Sequence, residues 1–201
     1  MTPGELDRAL ACLRQGRVVA AATETYFGLL ADARRPDAIG RVYSMKQRDQ
    51  EKAVALLLPD RDAWSSLVRE IPPIAELLAD RFWPGPLTIA LAARPGLDPR
   101  LTVGGNVAVR LAGPSDASEI ARSFGAPLTA TSANLAGGAP CTVAADARRR
   151  FAEAVLLGDL TVVSGQARGG APTTLVVIDG DTMRVLRTGQ IPEDEIRQVG
   201  M

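Results

Sequence analysis

Three short polar pairs hold most of the chemistry open to this sequence: Thr23-x-Thr25, Lys46-x-Arg48 and Ser132-x-Asn134. The members of each pair are two residues apart. On an extended backbone such residues point the same way, whereas on a helix they diverge. Each pair also falls at the end of an expected strand or helix, where ligand sites of open sheets gather. A helix stopping near Met45 would aim Lys46 and Arg48 into one space, as a polyphosphate requires. Taken singly, each pair has a simpler use. Thr23 and Thr25 suit a turn, Lys46 and Arg48 complement the C-terminal end of a helix dipole, and Ser132 and Asn134 make a turn or a cap. Arg110 shares one strand face with Ala108, while Val107, Val109 and Leu111 share the other; it either meets solvent or lines a cleft. Arg187, after an expected strand at 183–186, is open to the same two readings.

The composition narrows the chemistry further. The chain has 201 residues, Lys plus Arg 23, Asp plus Glu 23 and no histidine, for a formal net charge of zero. Nucleic-acid binders usually carry a basic excess, so any RNA contact would rest on a local patch. Without histidine there is no Ser-His-Asp or Cys-His nucleophile and no histidine zinc site. Neither glycine-rich phosphate-loop pattern occurs. Thr, Ser, Asn, Lys, Arg and carboxylates remain, which favours binding and charge stabilisation over proton shuttling. Cys12 and Cys141 lack metal-ligand spacing and read as idle thiols, so no metal ligands are expected. The first residues lack the layout of a signal peptide, and no apolar run reaches the about 18 residues of a membrane span. A cytoplasmic protein without membrane contact is expected.

The elements that must position these residues follow from periodicity. Helices are expected at 3–15, 36–45, 74–82 and 116–124, with a turn or helix at 191–199. Another should follow Asp60 and carry Trp64, Leu67 and Val68, and another should run from a Thr142 cap through Phe151. Strands are expected at 18–22, 53–58, 87–92, 107–111, 127–131, 154–157, 161–163, 174–178 and 183–186. Residues 23–28 read as a polar turn before an amphipathic stretch, 94–106 as turn-rich, and 137–140 as a loop. Apolar residues make up 46% but aromatics only 4%, so Ala, Val and Leu must fill the core. The pattern fits an α/β (α+β) fold, a mixed sheet with helices around it, as one domain over 1–201.

Six stretches together resemble the YrdC family of threonylcarbamoyl-AMP synthases. They are Ala22-Thr23-Glu24-Thr25-Tyr26-Phe27-Gly28-Leu29, Lys46-Gln47-Arg48, Phe82-Trp83-Pro84-Gly85-Pro86-Leu87-Thr88, Val107-Ala108-Val109-Arg110, Thr131-Ser132-Ala133-Asn134 and Leu186-Arg187-Thr188-Gly189. The resemblance implies a twisted mixed sheet with a concave basic face. It implies that L-threonine, bicarbonate and ATP give L-threonylcarbamoyl-AMP and pyrophosphate, for threonylcarbamoyladenosine modification of tRNA. Partner proteins would complete that modification, and a weak tRNA contact is expected. Because the sequence ends soon after Ile191, the short single-domain type is expected. The implied catalytic residues are Lys46, Arg48, Ser132 and Asn134. ATP would meet Lys46, Arg48, Thr88, Ser132, Pro140 and Arg187, with Mg²⁺ accompanying it. Threonine would meet Thr23, Thr25, Arg110, Ala130 and Thr173, its carboxylate pairing with the arginine.

Four positions depart from the family pattern. Ala22 and Asp49 replace prolines, Leu30 a glycine and Thr173 a serine. Asp49 matters most: opposite charges at ~4 Å and an effective dielectric near ~20 attract by roughly 4 kcal/mol, so an inward Asp49 would blunt the cations beside it. It is expected to face solvent. Two rival functions stand beside the synthase: a non-catalytic RNA-binding module, and a related carbamoyl-adenylate enzyme with another acceptor.

Overall fold

A run such as Val18-Val19-Ala20-Ala21-Ala22 has no polar side to offer water, so it needs cover on both faces. In the computed structural model, which describes residues 1–49, 51–180 and 182–199, all five are buried. The described elements, in chain order, are α1 (Pro3–Arg14), β1 (Val18–Ala22), β2 (Phe27–Leu30), α2 (Pro36–Lys46), β3 (Ala55–Leu57), α3 (Pro73–Phe82), β4 (Leu87–Ala92), β5 (Thr102–Val103), β6 (Asn106–Arg110), α4 (Asp116–Phe124), β7 (Leu128–Ser132), α5 (Ala144–Arg150), α6 (Ala152–Leu156), β8 (Leu160–Val162), β9 (Thr174–Asp179), β10 (Thr182–Arg187) and α7 (Glu193–Gln198), with 3₁₀ turns at Asp62–Ser66 and Pro99–Leu101.

The strands form one mixed sheet in the order β10-β9-β4-β6-β3-β7-β2-β1-β8, with β5 on β6. The pairs β1–β8, β3–β6 and β4–β9 are parallel and the others antiparallel. At one end β1 is covered twice. Val18, Ala20 and Ala22 pack with Ala38 and Val42 of α2 and Ala144 and Ala147 of α5. Val19 and Ala21 pack with Ala9 and Leu13 of α1 and Ile120 of α4. At the other end one face carries Leu56, Leu87, Ile89, Leu91, Val107, Val109 and Val176, which pack with Leu78 and Ala79 of α3 around Trp64 and Trp83.

The opposite face at that end is a hollow. Ala90 stands across from Ala108, Ala55 from Ala130, Leu57 from Arg110 and Thr88 from Leu175. Directly opposed side chains on a sheet lie ~5 Å apart, so rows of alanine leave space that larger residues would fill.

The sequence-based expectations need correction in several places. Phe27–Leu30, expected within a turn and an amphipathic stretch, is a strand that pairs with β1. Residues 154–157, expected as a strand, fall in α6 and the turn after it; a short apolar run does not separate the two by periodicity. The helix after Asp60 is a 3₁₀ turn, although the Asp60 carboxylate does accept the Ala63 N–H at 2.9 Å. Helix α5 is capped from Val143 with no side-chain bond, so Thr142 is not its cap. The segment 94–106 holds β5 as well as turns.

Candidate active site

The hollow is a cleft of about 560 Å³, within the size range of ligand sites. Thr23, Thr25, Arg48, Thr88, Arg110, Ala130, Ser132, Pro140, Thr173 and Arg187 all line it. Lys46 and Asn134 are not among the lining residues; they stand behind Ser132. The three polar pairs therefore meet at one place, although their side chains do different things there.

Thr23 organises the turn between β1 and β2. Its hydroxyl donates to the Tyr26 carbonyl at 2.7 Å and accepts the N–H groups of Thr25 and Tyr26 at 3.1 and 3.2 Å. The Thr25 hydroxyl lies 2.9 Å from it. The turn is fastened to the loop before β9: the Gly169 N–H donates to the Thr25 carbonyl at 2.7 Å, and the Tyr26 hydroxyl to the Gly170 carbonyl.

Helix α2 runs one residue past the expected stop and ends at Gln47, which takes the left-handed conformation at φ 49°. The two cations take different partners, Lys46 the carbonyls behind Ser132 and Arg48 those of the cleft wall, although their charges still interact. The Lys46 ammonium turns inward, only 2% of the residue is exposed, and it donates to the Ser132 carbonyl, the Asn134 carbonyl at 2.7 Å and the Asn134 Oδ1 at 3.0 Å. An ammonium has three protons, and all three are engaged. Burial, and then the charge of Arg48, lower its pKa to about 8. The Ser132 hydroxyl donates to the same Asn134 Oδ1, and the Asn134 amide holds the Leu135 and Gly138 carbonyls at 2.8 and 2.7 Å. Lys46 thus fixes the end of β7 and, through Asn134, the loop that carries Pro140.

Arg48 reaches the cleft wall, its guanidinium donating to the Lys52 and Ala53 carbonyls at 2.8 and 2.9 Å. Asp49 is exposed and accepts the Glu51 N–H at 3.0 Å, turned to solvent as expected. Arg110 lies in the cleft floor, 7% exposed, in ion contact with Glu24; of its two readings, the cleft holds. Arg187 donates to the Thr173 carbonyl at 3.1 Å and hydroxyl at 3.0 Å, and the Thr173 hydroxyl lies 2.9 Å from that of Thr88. Burial, then the charge of Arg110, lowers the Arg187 pKa. Gly189 makes this join possible: a Cβ there would lie 2.1 Å from the Pro172 carbonyl oxygen. Thr173, in place of the family's serine, keeps the hydroxyl and so keeps this chain of bonds.

Sequence reasoning missed Glu24 as a partner of Arg110, Tyr26 as a fastener, and Ala90, Ala108 and Leu175 as the floor. The alternation Thr88-x-Ala90 and Ala108-x-Arg110 was the available signal, since small and polar residues shared the face opposite the valines and leucines. Among the described residues no group of three or more His, Cys, Asp or Glu could hold a metal ion. No described helix is long and apolar enough to cross a membrane.

The family model Sua5_yciO_yrdC, described as telomere recombination, matches residues 11–189. A Bacillus subtilis (strain 168) protein named threonylcarbamoyl-AMP synthase is 33% identical over 97% of this chain and 56% of its own. One of the same name from Thiobacillus denitrificans is 36% identical over 88% of this chain and 92% of its own. The crystal structure of P. abyssi Sua5 complexed with L-threonine superposes with a TM-score of 0.85 at 31% identity, over 96% of this chain and 56% of that one. The chain thus spans little more than half the length of the B. subtilis and P. abyssi proteins, and most of the T. denitrificans one. The fold, the cleft and the match over nearly its whole length agree that the chain belongs to the Sua5/YciO/YrdC family.

Proposed function

We propose that the cleft makes L-threonylcarbamoyl-AMP from L-threonine, bicarbonate and ATP. The observation that carries this reading is the convergence of Arg48, Arg110 and Arg187, from three remote segments, on one hollow with the Thr23–Thr25 and Thr88–Thr173 hydroxyl pairs beside them. Similarity to proteins named threonylcarbamoyl-AMP synthase, and to a Sua5 that binds L-threonine, supports the choice of reaction.

In this reading the threonine amine and bicarbonate give a carbamate and water. A carbamate oxygen then attacks the α-phosphorus of ATP, and pyrophosphate leaves. Two anions must approach each other, so fixed cations are needed where charge develops. Arg110 pairs with the threonine carboxylate, while Thr25 and Thr23, with Ala130 and Thr173 beside them, fit the rest of the amino acid. Arg48 and Arg187 hold the phosphates, and Thr88, Ser132 and Pro140 line the nucleotide's place. Lys46, its three protons engaged, acts through Ser132 and Asn134 and not by touching phosphate. No carboxylate lines the cleft among the described residues, and Glu24, which meets Arg110, is committed to it, so Mg²⁺ would enter on the nucleotide, since Mg²⁺ is commonly held by substrate phosphates. We further place the reaction in the cytoplasm, within a single domain, with its product passed to tRNA-modification proteins.

The test is pyrophosphate release, which must require threonine, bicarbonate and ATP together. A charged hydrogen bond contributes roughly 1.5–3 kcal/mol, so Arg48→Ala should lower turnover by about ten- to a hundredfold. Wild-type turnover in that variant would remove Arg48 from the site. Salt-sensitive RNA binding without turnover would put the RNA-binding module in place of the synthase, and a preference for serine would change the acceptor.

A further inference from the structure

Glu24 sits in the turn between β1 and β2, yet it is not a surface residue. Its side chain is 13% exposed and that of Arg110 is 9% exposed, the two in direct ion contact. One carboxylate oxygen, Oε1, also accepts the Gly113 N–H at 3.3 Å. The other, Oε2, is enclosed and has no hydrogen-bond partner, as are Nε and Nη2 of Arg110. The contact is therefore one of charge, without the alignment of a hydrogen bond. An enclosed carboxylate cannot also meet a substrate ammonium, so whatever Glu24 does for a ligand it does through Arg110.

Two features of the floor give that role content. First, no described residue hydrogen-bonds the Arg110 guanidinium, and a buried guanidinium without an anion is costly. The charge of Glu24 therefore holds the fork where it sits in the floor, and recognition of a carboxylate by arginine depends on where that fork sits. Second, Arg110 and Arg187 line the same cleft, and their charges interact there. Glu24 cancels one of these two positive charges. Without it the floor would favour small multivalent anions.

We propose that Glu24 is a positioning and specificity residue: it orients the Arg110 fork for a single amino-acid carboxylate and keeps the cleft floor from capturing inorganic dianions. This rests on the reading that an amino-acid carboxylate meets Arg110.

The experiment compares wild type, Glu24→Gln and Glu24→Asp in two assays. Pyrophosphate release gives KM and kcat for threonine, and thermal melts across a sulfate titration give anion binding without turnover. Glu24→Gln keeps the shape and removes the charge. Its threonine KM should rise about tenfold with kcat within about threefold of wild type, while the sulfate midpoint falls at least about threefold. Glu24→Asp keeps the charge and shortens the reach, so its KM should rise while its sulfate midpoint stays put. An unchanged KM in both variants, or a sulfate midpoint that moves alike in both or in neither, overturns the proposal. A melting temperature that drops while neither quantity moves assigns Glu24 a structural role and also overturns it. If wild type releases no pyrophosphate, the synthase reading fails, and the sulfate arm still decides whether the Glu24 charge sets the anion preference. If Glu24→Gln does not fold, Glu24→Asp decides: a raised KM with an unmoved sulfate midpoint supports the proposal, and any other result overturns it.

Discussion

Strands β1 and β6 are both five residues long and lie in one sheet, but they are covered differently. Helices α1 and α4 pack on one face of β1, and α2 and α5 on the other, so all five of its residues are buried and apolar. Strand β6 buries Val107 and Val109 against the α3 side and turns Ala108 and Arg110 to the cleft. The sheet is thus a packed wall at one end and a floor at the other. A floor of this kind needs small residues to leave room and a few charged ones to use it. The two must also be held by the apolar face beneath, because side chains succeed one another on opposite faces at every step.

One substitution made in both strands tests this contrast most strongly. Ala20 of β1 is fully buried, and Ala108 of β6 lies beside Ala90 of β4 on the cleft floor. Leucine at position 20 must be forced into a filled core, which typically costs about 1–3 kcal/mol. Ala20→Leu should therefore lower the denaturant midpoint clearly and leave the KM of the folded fraction alone. Ala108→Leu should do the reverse: melting close to wild type, with the KM for threonine or ATP raised about tenfold or more because the side chain occupies the substrate's space. Equal destabilisation by the two would mean that the floor is as tightly packed as the wall.

How much of this was legible in the sequence follows the same division. Strands β1, β4 and β6 and helices α1 to α4 were readable because each has one clear period or an uninterrupted apolar run with a stop signal. The polar pairs were readable as candidates because their spacing of two has a definite meaning on extended chain. Strand β2 was not, since Phe27-Gly28-Leu29-Leu30 is too short to show alternation and follows polar turn residues. The inward turn of Lys46 follows from the helix running one residue further than expected, which puts it on the buried face of Ile39, Val42 and Tyr43, and the left-handed stop at Gln47 is one that no glycine announced. The pairing of Glu24 with Arg110 joins two distant segments, and a single sequence has no local pattern for that.

Lys46 offers a second and smaller test, because it belongs to the wall and serves the floor. Its pKa is lowered to about 8 by burial and the Arg48 charge. As the pH rises through that value the ammonium loses a proton, and with it one of the bonds that hold Ser132 and Asn134. Turnover should fall over this range. Stability should not fall with it on account of this group. The folded state releases its proton near 8 and the unfolded chain near 10.5, so between these values the unfolded chain binds more protons and this group favours folding as pH rises. Measuring kcat and melting temperature from pH 7 to 10 separates the two. A flat kcat, or a kcat that merely follows the loss of fold, would deny Lys46 its hold on the floor.

The smallest effect belongs to Glu5, at the covered end and away from the cleft. Its carboxylate accepts the Ser164 N–H at 3.0 Å through one oxygen, and the Thr2 N–H and hydroxyl at 2.9 and 3.0 Å through the other. These bonds, the Ser164 one first, lower its pKa from 4.5 to about 2. The folded value lies below the unfolded one, so the contribution to stability is fully present above pH 4.5 and is lost as pH falls towards 2. Glu5→Gln should flatten that acid branch of the melting curve slightly and leave threonine KM unchanged at neutral pH. The carboxylate is open to solvent, which screens it, so the shift should be modest. Even so it ties the first turn of α1 to the segment after β8, two pieces that help cover β1. If the variant melts with the wild-type slope between pH 4.5 and 2, that tie contributes nothing, and cover at this end rests on apolar packing alone.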